Sequence, residues 1–528
     1  MTLKARFWIG ILVTVVAMPA LSQTSRESLA SLIQKGDRKA ALERIRSGAD
    51  VNEPQPDGTR PIQWAVYKVD YELLAALIAK KASLNVRNEF GSTPIAQAAE
   101  VGDARMVKML LDAGAEPEGA NPDGETALML AIKTGEVGVV DTLIKAGANV
   151  NTIERFHNQT PLMWAASAPR NAGALVKLLL AKGADVKPRA LYTDWPSQIT
   201  SEPRAQYRPT GGLTALLYAA RDGCFDCIDA LIAAGADPDI PTPEGVTALI
   251  LALDNDHNDV AKLLLDRGAN PQIWDWWGRT PLYIAIDRKE TARASTTRVP
   301  PPLVSSMAII NALLAAGVDV NAQLNFHRPS RSGNSGRFVD PLLNTGCTPL
   351  MRATMGQPIP PNPIGADIEV VKALLAKGAD PNINDMGLTP FLVAAGVGAG
   401  TTAGTGLAKE RSVGGPVSME AMDLLLQHGA NVNDQVEGTL TYSMRVTRAP
   451  SANEGRTALH IAALDGKTDL VRYLLSKGAS PDIKDAGGLK AIDLVGSEAK
   501  GGNLPDGVKA PAADVAETRG LFQSAGPR

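Results

Sequence analysis

Cys224-Phe225-Asp226-Cys227 is the stretch of this 528-residue chain whose residue types and spacing come nearest to chemistry. Two cysteines separated by two residues at the start of a helix can exchange electrons with other thiols, because free helical amides favour the thiolate. That use normally rests on a strand–motif–helix frame, and the flanking sequence offers helices alone. Cys227 also falls where neighbouring copies of the surrounding unit carry a small or apolar helix residue, so packing is its expected role. With Cys347 the chain has three cysteines, too few for a disulfide framework. The histidines, His157, His257, His327, His428 and His460, are scattered without metal-ligand spacing. Gly396 to Gly415 is glycine-rich but lacks both a phosphate-binding lysine pattern and a strand–glycine–helix context. Pairs such as Asp237/Asp239 and Asn149/Asn151 carry turn chemistry rather than calcium spacing. No Ser/His/Asp set or carboxylate pair stands out. The expectation is a chain with no catalysis, no cofactor and no metal.

The elements around these residues repeat. Thr214, Thr247 and Thr280 are spaced at 33 residues (247 − 214 = 33; 280 − 247 = 33), a period typical of arrays whose units bury their apolar faces only against neighbours. In Asp123 to Glu154, Leu128, Ala131 and Ile132 give a first helix its apolar stripe, and Val139, Val140, Leu143 and Ile144 give a second. Gly135 separates the two helices and Gly147 supplies a left-handed cap after the second. A Thr before each first helix caps its free amides, and Pro at the next position fits because its missing N–H has no helical partner.

These units, with Thr-Pro-Leu or Thr-Ala-Leu openings and Gly-Ala-Asp or Gly-Ala-Asn closings such as Gly235-Ala236-Asp237 and Gly268-Ala269-Asn270, resemble the ankyrin repeat. Copies begin near Arg26, Asp57, Asn88, Pro122, Phe156, Thr210, Pro243, Asp275, Asn344, Asp385 and Asn453. The resemblance implies an all-α ankyrin-repeat solenoid of about eleven repeats, each a helix-turn-helix followed by a finger hairpin. The family's His after Thr-x-Leu survives as His460, where it implies a structural hydrogen bond; other copies carry Met129, Met163, Leu217, Ile250 or Tyr283 there.

Departures from the regular spacing locate insertions. Residues 190–209, 324–343 and 436–452 interrupt fingers; 289–304, 357–365 and 396–417 fall between the two helices of a repeat. The expected organisation is a leader at 1–22, an N-terminal capping repeat at 23–56, repeats at 57–189, 210–323 and 344–435 broken by those insertions, a last repeat and cap at 453–495, and a loose tail at 496–528 with one short helix near Ala512 to Phe522. Stacked loops at 289–304, 357–365 and 396–417, or the Cys224/Cys227 pair, carry the competing expectation: a redox or enzyme-accessory module that binds a cofactor or small molecule.

The resemblance also assigns contact positions. Those beside the finger Asp hold Trp274, Trp276 and Trp277, and large aromatics with little core to fill suggest an interaction hot spot. Trp195 lies in a finger insertion, while Trp64 and Trp164 are expected in the core or lining the groove. Concave-face positions hold Glu100 and Val101, Lys133 and Thr134, Arg221 and Asp222, Asp254 and Asn255, and Leu464 and Asp465. They mix both charges, which suits a protein or peptide better than a polyanion. A net charge of −3 provides no basic footprint for nucleic acid. Lys4 and Arg6 before the apolar run Phe7 to Met18, with Ala20 and Ser22 at the cleavage positions, read as a secretory signal too short for a good membrane span. Together these features predict a monomeric, periplasmic or secreted scaffold with no membrane span after cleavage, of a kind that resembles bacterial members of the family.

Overall fold

The computed structural model describes residues 27–193, 210–294, 303–324, 346–356, 364–384, 387–398, 416–437, 442–443, 446–447, 452–498 and 509–524. The leader, Trp195, His327 and much of each insertion lie outside them. Contacts divide the chain into two compact units, Met1–Pro122 and Asp123–Arg528.

In the first unit three helix pairs follow one another: α1 (Leu29–Lys35) and α2 (Arg38–Arg46), α3 (Pro61–Tyr67) and α4 (Tyr71–Ala79), α5 (Pro94–Val101) and α6 (Ala104–Asp112). The first helices stack on one another, α1 on α3 and α3 on α5. Thr93 accepts the N–H of Ala96 and starts α5, whereas Arg60 has no capping oxygen, so the side chain of Gln63 accepts the Arg60 N–H at 2.9 Å instead. Asp70 and Asp103 cap the second helices by the same geometry.

The second unit contains eight pairs: α7 (Ala127–Thr134) and α8 (Val137–Lys145), α9 (Pro161–Ala166) and α10 (Ala172–Ala181), α11 (Ala215–Asp222) and α12 (Phe225–Ala233), α13 (Ala248–Asp254) and α14 (Asn258–Asp266), α15 (Pro281–Ala294) and α16 (Ser306–Ala315), α17 (Pro349–Met355) and α18 (Ile368–Leu375), α19 (Pro390–Ala394) and α20 (Met419–Gln427), α21 (Ala458–Leu464) and α22 (Thr468–Ser476). Thr126, Thr160, Thr214, Thr247, Thr348, Thr389 and Thr457 each accept the backbone N–H three residues on. Leu128, Leu216, Leu249 and Leu350 are buried in the core, as are Val140, Leu231 and Leu264 of the second helices. Each such side chain contributes roughly 1.5–3 kcal/mol of transfer energy, which offsets the cost of ordering helices too short to stand alone.

Two expectations change. Residues 289–294 are helical and continue α15, where the spacing reads an inserted loop; Lys289 pairs with Asp367, and the fully buried Arg352 donates from Nε to Asp287 at 2.8 Å, which fastens the extended end to the next pair. The short helix expected near Ala512 to Phe522 is present as α23 (Ala512–Ser524), but it is docked on the array rather than part of a loose tail. It packs on α22 through Thr468 and Thr518 at 3.0 Å, Arg472 and Glu517 at 2.6 Å and the buried Phe522. A short 3-10 turn, Ala491–Leu494, covers α21 as the degenerate last unit.

Candidate functional site

The finger that carries the tryptophans is held by one carboxylate. Asp275 Oδ1 accepts the N–H groups of Trp277 at 3.1 Å and Arg279 at 2.9 Å, and Oδ2 accepts Arg279 Nε at 2.7 Å. The Arg279 guanidinium then donates both terminal nitrogens to Asp254, at 3.0 and 2.9 Å, and lies 5.4 Å from the Trp277 ring centroid. Burial disfavours the Arg279 charge, but Asp254 and Asp275 overcome that and hold it above its ordinary pKa. Burial also pushes the Asp275 carboxyl up against the pull of Arg279.

This anchor decides which tryptophans face outward. Trp274 is 56% exposed and Trp276 44%, whereas Trp277 is 7% exposed. The three tryptophans therefore do not form one contact set: Trp277 packs inward on Arg279, and Asp254 is committed to the same guanidinium. Neighbouring fingers are joined by backbone bonds, Arg155 N–H to Asp123 O and Leu191 N–H to His157 O, both 2.6 Å, and Trp276 N–H to Glu244 O at 2.8 Å. Along these fingers Ile153, Phe156, Leu191, Tyr192 and Ile240 are exposed as well. The sequence reading misses them, although Ile153 occupies the register of Trp274.

The concave positions separate further. Arg221 pairs with Asp222 at 2.7 Å and lies 4.9 Å from the Tyr218 ring centroid. Burial alone would raise the Asp222 carboxyl; hydrogen bonds from Arg221 and Ser167 bring it below the usual value. Gln159 donates to the Tyr218 hydroxyl at 2.6 Å. Tyr218 shares its helical position, four residues past the capping Thr, with Leu130, Trp164 and Leu251, all half-buried. Trp64, in the first unit, is also half-buried and donates Nε1–H to Gln55 at 2.8 Å. Lys133 is exposed near the end of α7; Asn255 is exposed but donates to its own helix at Leu251 O, 2.8 Å. Leu464 and Asp465 are buried, which removes them from any contact surface. Glu100 and Val101 are exposed at the end of α5 in the first unit.

Cys224 and Cys227 are joined by a disulfide, with Cα atoms 5.2 Å apart. Cys227 is fully buried, as its packing register requires, but its sulfur is not a free thiol. His460 has a structural place: Nδ1 meets Thr457 Oγ1 at 2.9 Å and Nε2 meets Leu489 O at 3.1 Å, and burial lowers its pKa. Among the described residues no cluster of His, Cys, Asp and Glu could hold a metal, and no helix is long and apolar enough to cross a membrane.

Comparison with known proteins gives the same unit. A family model described as ankyrin repeats (3 copies) matches residues 29–121, 97–190, 200–275 and 216–294, and one described as ankyrin repeat matches 345–386 and 454–486. Among solved structures, the human ASB11 ankyrin repeat domain is 24% identical, covering 47% of this chain and 100% of its own, with a TM-score of 0.38. The ankyrin repeat domain of Bcl-3, a member of the IkappaB family, is 20% identical, covering 49% of this chain and 99% of its own, with a TM-score of 0.37. No curated protein matches significantly. The family models span most of the chain and coincide with helix pairs, capping threonines and finger turns, and the chain therefore belongs to the ankyrin repeat family.

Proposed function

We propose that this chain is an exported scaffold that binds a protein or peptide through the fingers and concave face of its second unit and performs no catalysis of its own. Ankyrin repeats are typically non-catalytic, protein-binding modules, and they supply a surface rather than fixed chemistry. The observation that carries the reading is the run of exposed apolar side chains on consecutive fingers: Ile153, Phe156, Leu191, Tyr192, Ile240, Trp274 and Trp276. Large apolar groups displayed together on the surface mark interaction sites, and tryptophans are the commonest energetic anchors. Half-buried Trp164 and Tyr218 extend the aromatic character into the groove, with Lys133, Arg221 and Asp222 as mixed-sign neighbours suited to a polar rim.

Export rests on the basic, apolar and small-residue pattern of residues 1–22, and the Cys224–Cys227 disulfide supports it, because such bonds persist in oxidising compartments. Sequencing the N-terminus of the protein recovered outside the cytoplasm tests this, with Gln23 the expected first residue; an intact Met1 in the cytoplasm would refute it. The surface is tested by affinity capture with Trp274→Ala/Trp276→Ala against wild type. Loss of partners, at about 2 kcal/mol or more for a true hot spot, is expected. Capture of the same partners at undiminished affinity would rule the finger surface out.

A further inference from the structure

Some second helices of the array begin with an N-cap side chain that accepts the N–H three residues on, as Asp367 does for Val370, Ser305 for Ala308 and Ser418 for Ala421, whereas α8, α10, α14 and α22 begin at Glu136, Asn171, His257 and Lys467 without such a bond. Helix α12 is of the second kind, but with a covalent link at its start. Its N-cap is Cys224, which makes no capping hydrogen bond, and the residue three positions on is Cys227. The two are joined covalently, so a disulfide spans the interval that a capping hydrogen bond spans elsewhere. The two sulfurs differ in access: Cys224 is half-buried and Cys227 fully buried. The flanks of Cys224 are defined too. On one side is Gly223, whose backbone supports the His257 ring so closely that an added Cβ would lie 2.6 Å from it; on the other is Phe225, 45% exposed.

We propose that Cys224–Cys227 is a reversible thiol–disulfide site, opened at Cys224 by low-molecular-weight thiols of the glutathione class, and that opening it loosens the first turn of α12. The thiolate of the small molecule attacks Cys224 Sγ, the bond between the two cysteines breaks, and its electron pair leaves on Cys227 Sγ, which takes a proton from water. A second small thiolate attacks the small-molecule sulfur of the mixed disulfide, releasing the oxidised dimer and a Cys224 thiolate. Two electrons pass from two thiols to the protein disulfide. The N-cap position places that Cys224 thiolate at the positive end of a nine-residue helix, which favours it. Attack at Cys227 is blocked by burial, which gives the exchange a direction.

The test uses the full chain. Cys227→Ser, folded and exposed to oxidised glutathione, takes one glutathione at Cys224 by peptide mass; Cys224→Ser takes none at Cys227. Uptake at Cys227 equal to that at Cys224, or none at Cys224, overturns the proposal. In the wild type, native incubation with reduced glutathione gives a newly alkylatable thiol at 224, while the buried Cys227 and Cys347 stay unmodified until the chain is denatured. This measurement decides the matter if the serine variants fail to fold, and absence of that thiol overturns the proposal. Hydrogen exchange of the Cys227 and Ile228 amides, both bonded to Cys224 O, rises on reduction, with α14 unchanged. Equal protection of α12 in both redox states overturns the loosening.

Discussion

At residue scale, His460 titrates where unfolding can report it. Burial lowers its pKa, outweighing the opposing bond to Leu489 O and the nearby Asp485, while Arg456 pushes in the same direction as burial. The unfolded chain therefore takes up the proton first as pH falls, so the neutral ring contributes stability that is full above about pH 6.5, the ordinary His value, and is lost as pH drops through the folded-state value. His460→Ala should cost about 1 kcal/mol at pH 7.5, the net worth of its hydrogen bonds, and the gap to wild type should narrow by pH 5. Urea unfolding at the two pH values measures it, and a pH-independent gap would contradict the assignment. Arg279 sets a second prediction: Arg279→Ala leaves Asp275 buried without its cation and should destabilise by roughly 3–5 kcal/mol, read from the urea midpoint. This residue also marks where sequence legibility stops. The repeat register finds the finger positions of Trp274, Trp276 and Trp277, but which ring turns inward depends on a guanidinium reaching Asp254, 25 residues back in the chain, and no local spacing reports that.

At element scale, insertions leave the array without breaking its closing bonds. A plain finger closes with Asp275 N–H to Arg279 O and Gly278 N–H to Asp275 O. The interrupted fingers keep the equivalents: Leu324 N–H to Cys347 O at 3.1 Å with Gly346 N–H to Leu324 O at 2.8 Å, and Val436 N–H to Arg456 O at 2.8 Å with Gly455 N–H to Val436 O at 2.7 Å. In each, a buried apolar residue, Leu324 or Val436, stands where that plain finger has Asp275. Between helices the rule is the same: Asp367 N–H to Ala353 O and Ser418 N–H to Ala394 O span their insertions as His257 N–H to Ala252 O spans a plain turn. The 33-residue ruler could locate these insertions because the frame on either side is intact. It could not see that α15 runs on to Ala294, since that extension rests on Asp287 and Lys289 meeting Arg352 and Asp367 of the next pair. Exchanging 324–346 for the Asp275–Gly278 turn should leave the helical circular dichroism intact and change stability by only about 1 kcal/mol, the scale of the loop-closure term. Loss of cooperative unfolding would show that the insertion is part of the frame.

At the scale of the whole molecule, stability in such an array is a sum of repeat and nearest-neighbour terms, so an end needs something to cover it. At the C-terminal end of the second unit α23 does this for α22, and the 3-10 turn does it for α21. Ankyrin spacing ends near Val495, which is why the sequence places a short helix near Ala512 to Phe522 but not its docking: α23 packs as a lone helix and repeats no motif. Its seam is small but specific, with Phe522 buried, the Thr468–Thr518 hydroxyl pair closed, and Ala510 set against Gly466, where an added Cβ would lie 2.6 Å away. Phe522→Ala removes the largest apolar group of that seam and should cost about 3 kcal/mol locally, toward the low end for buried Phe. Because coupling passes only between neighbours, the loss should stay at the end. Hydrogen exchange should rise in α22 and α23 while α13 and α14, several pairs away, keep wild-type protection. Leu249→Ala in α13 should do the reverse, weakening the middle of the unit by roughly 2–5 kcal/mol and shifting the main unfolding transition. If Phe522→Ala shifted that main transition as far as Leu249→Ala does, the unit would be folding as one cooperative body, and the nearest-neighbour account of its ends would fail.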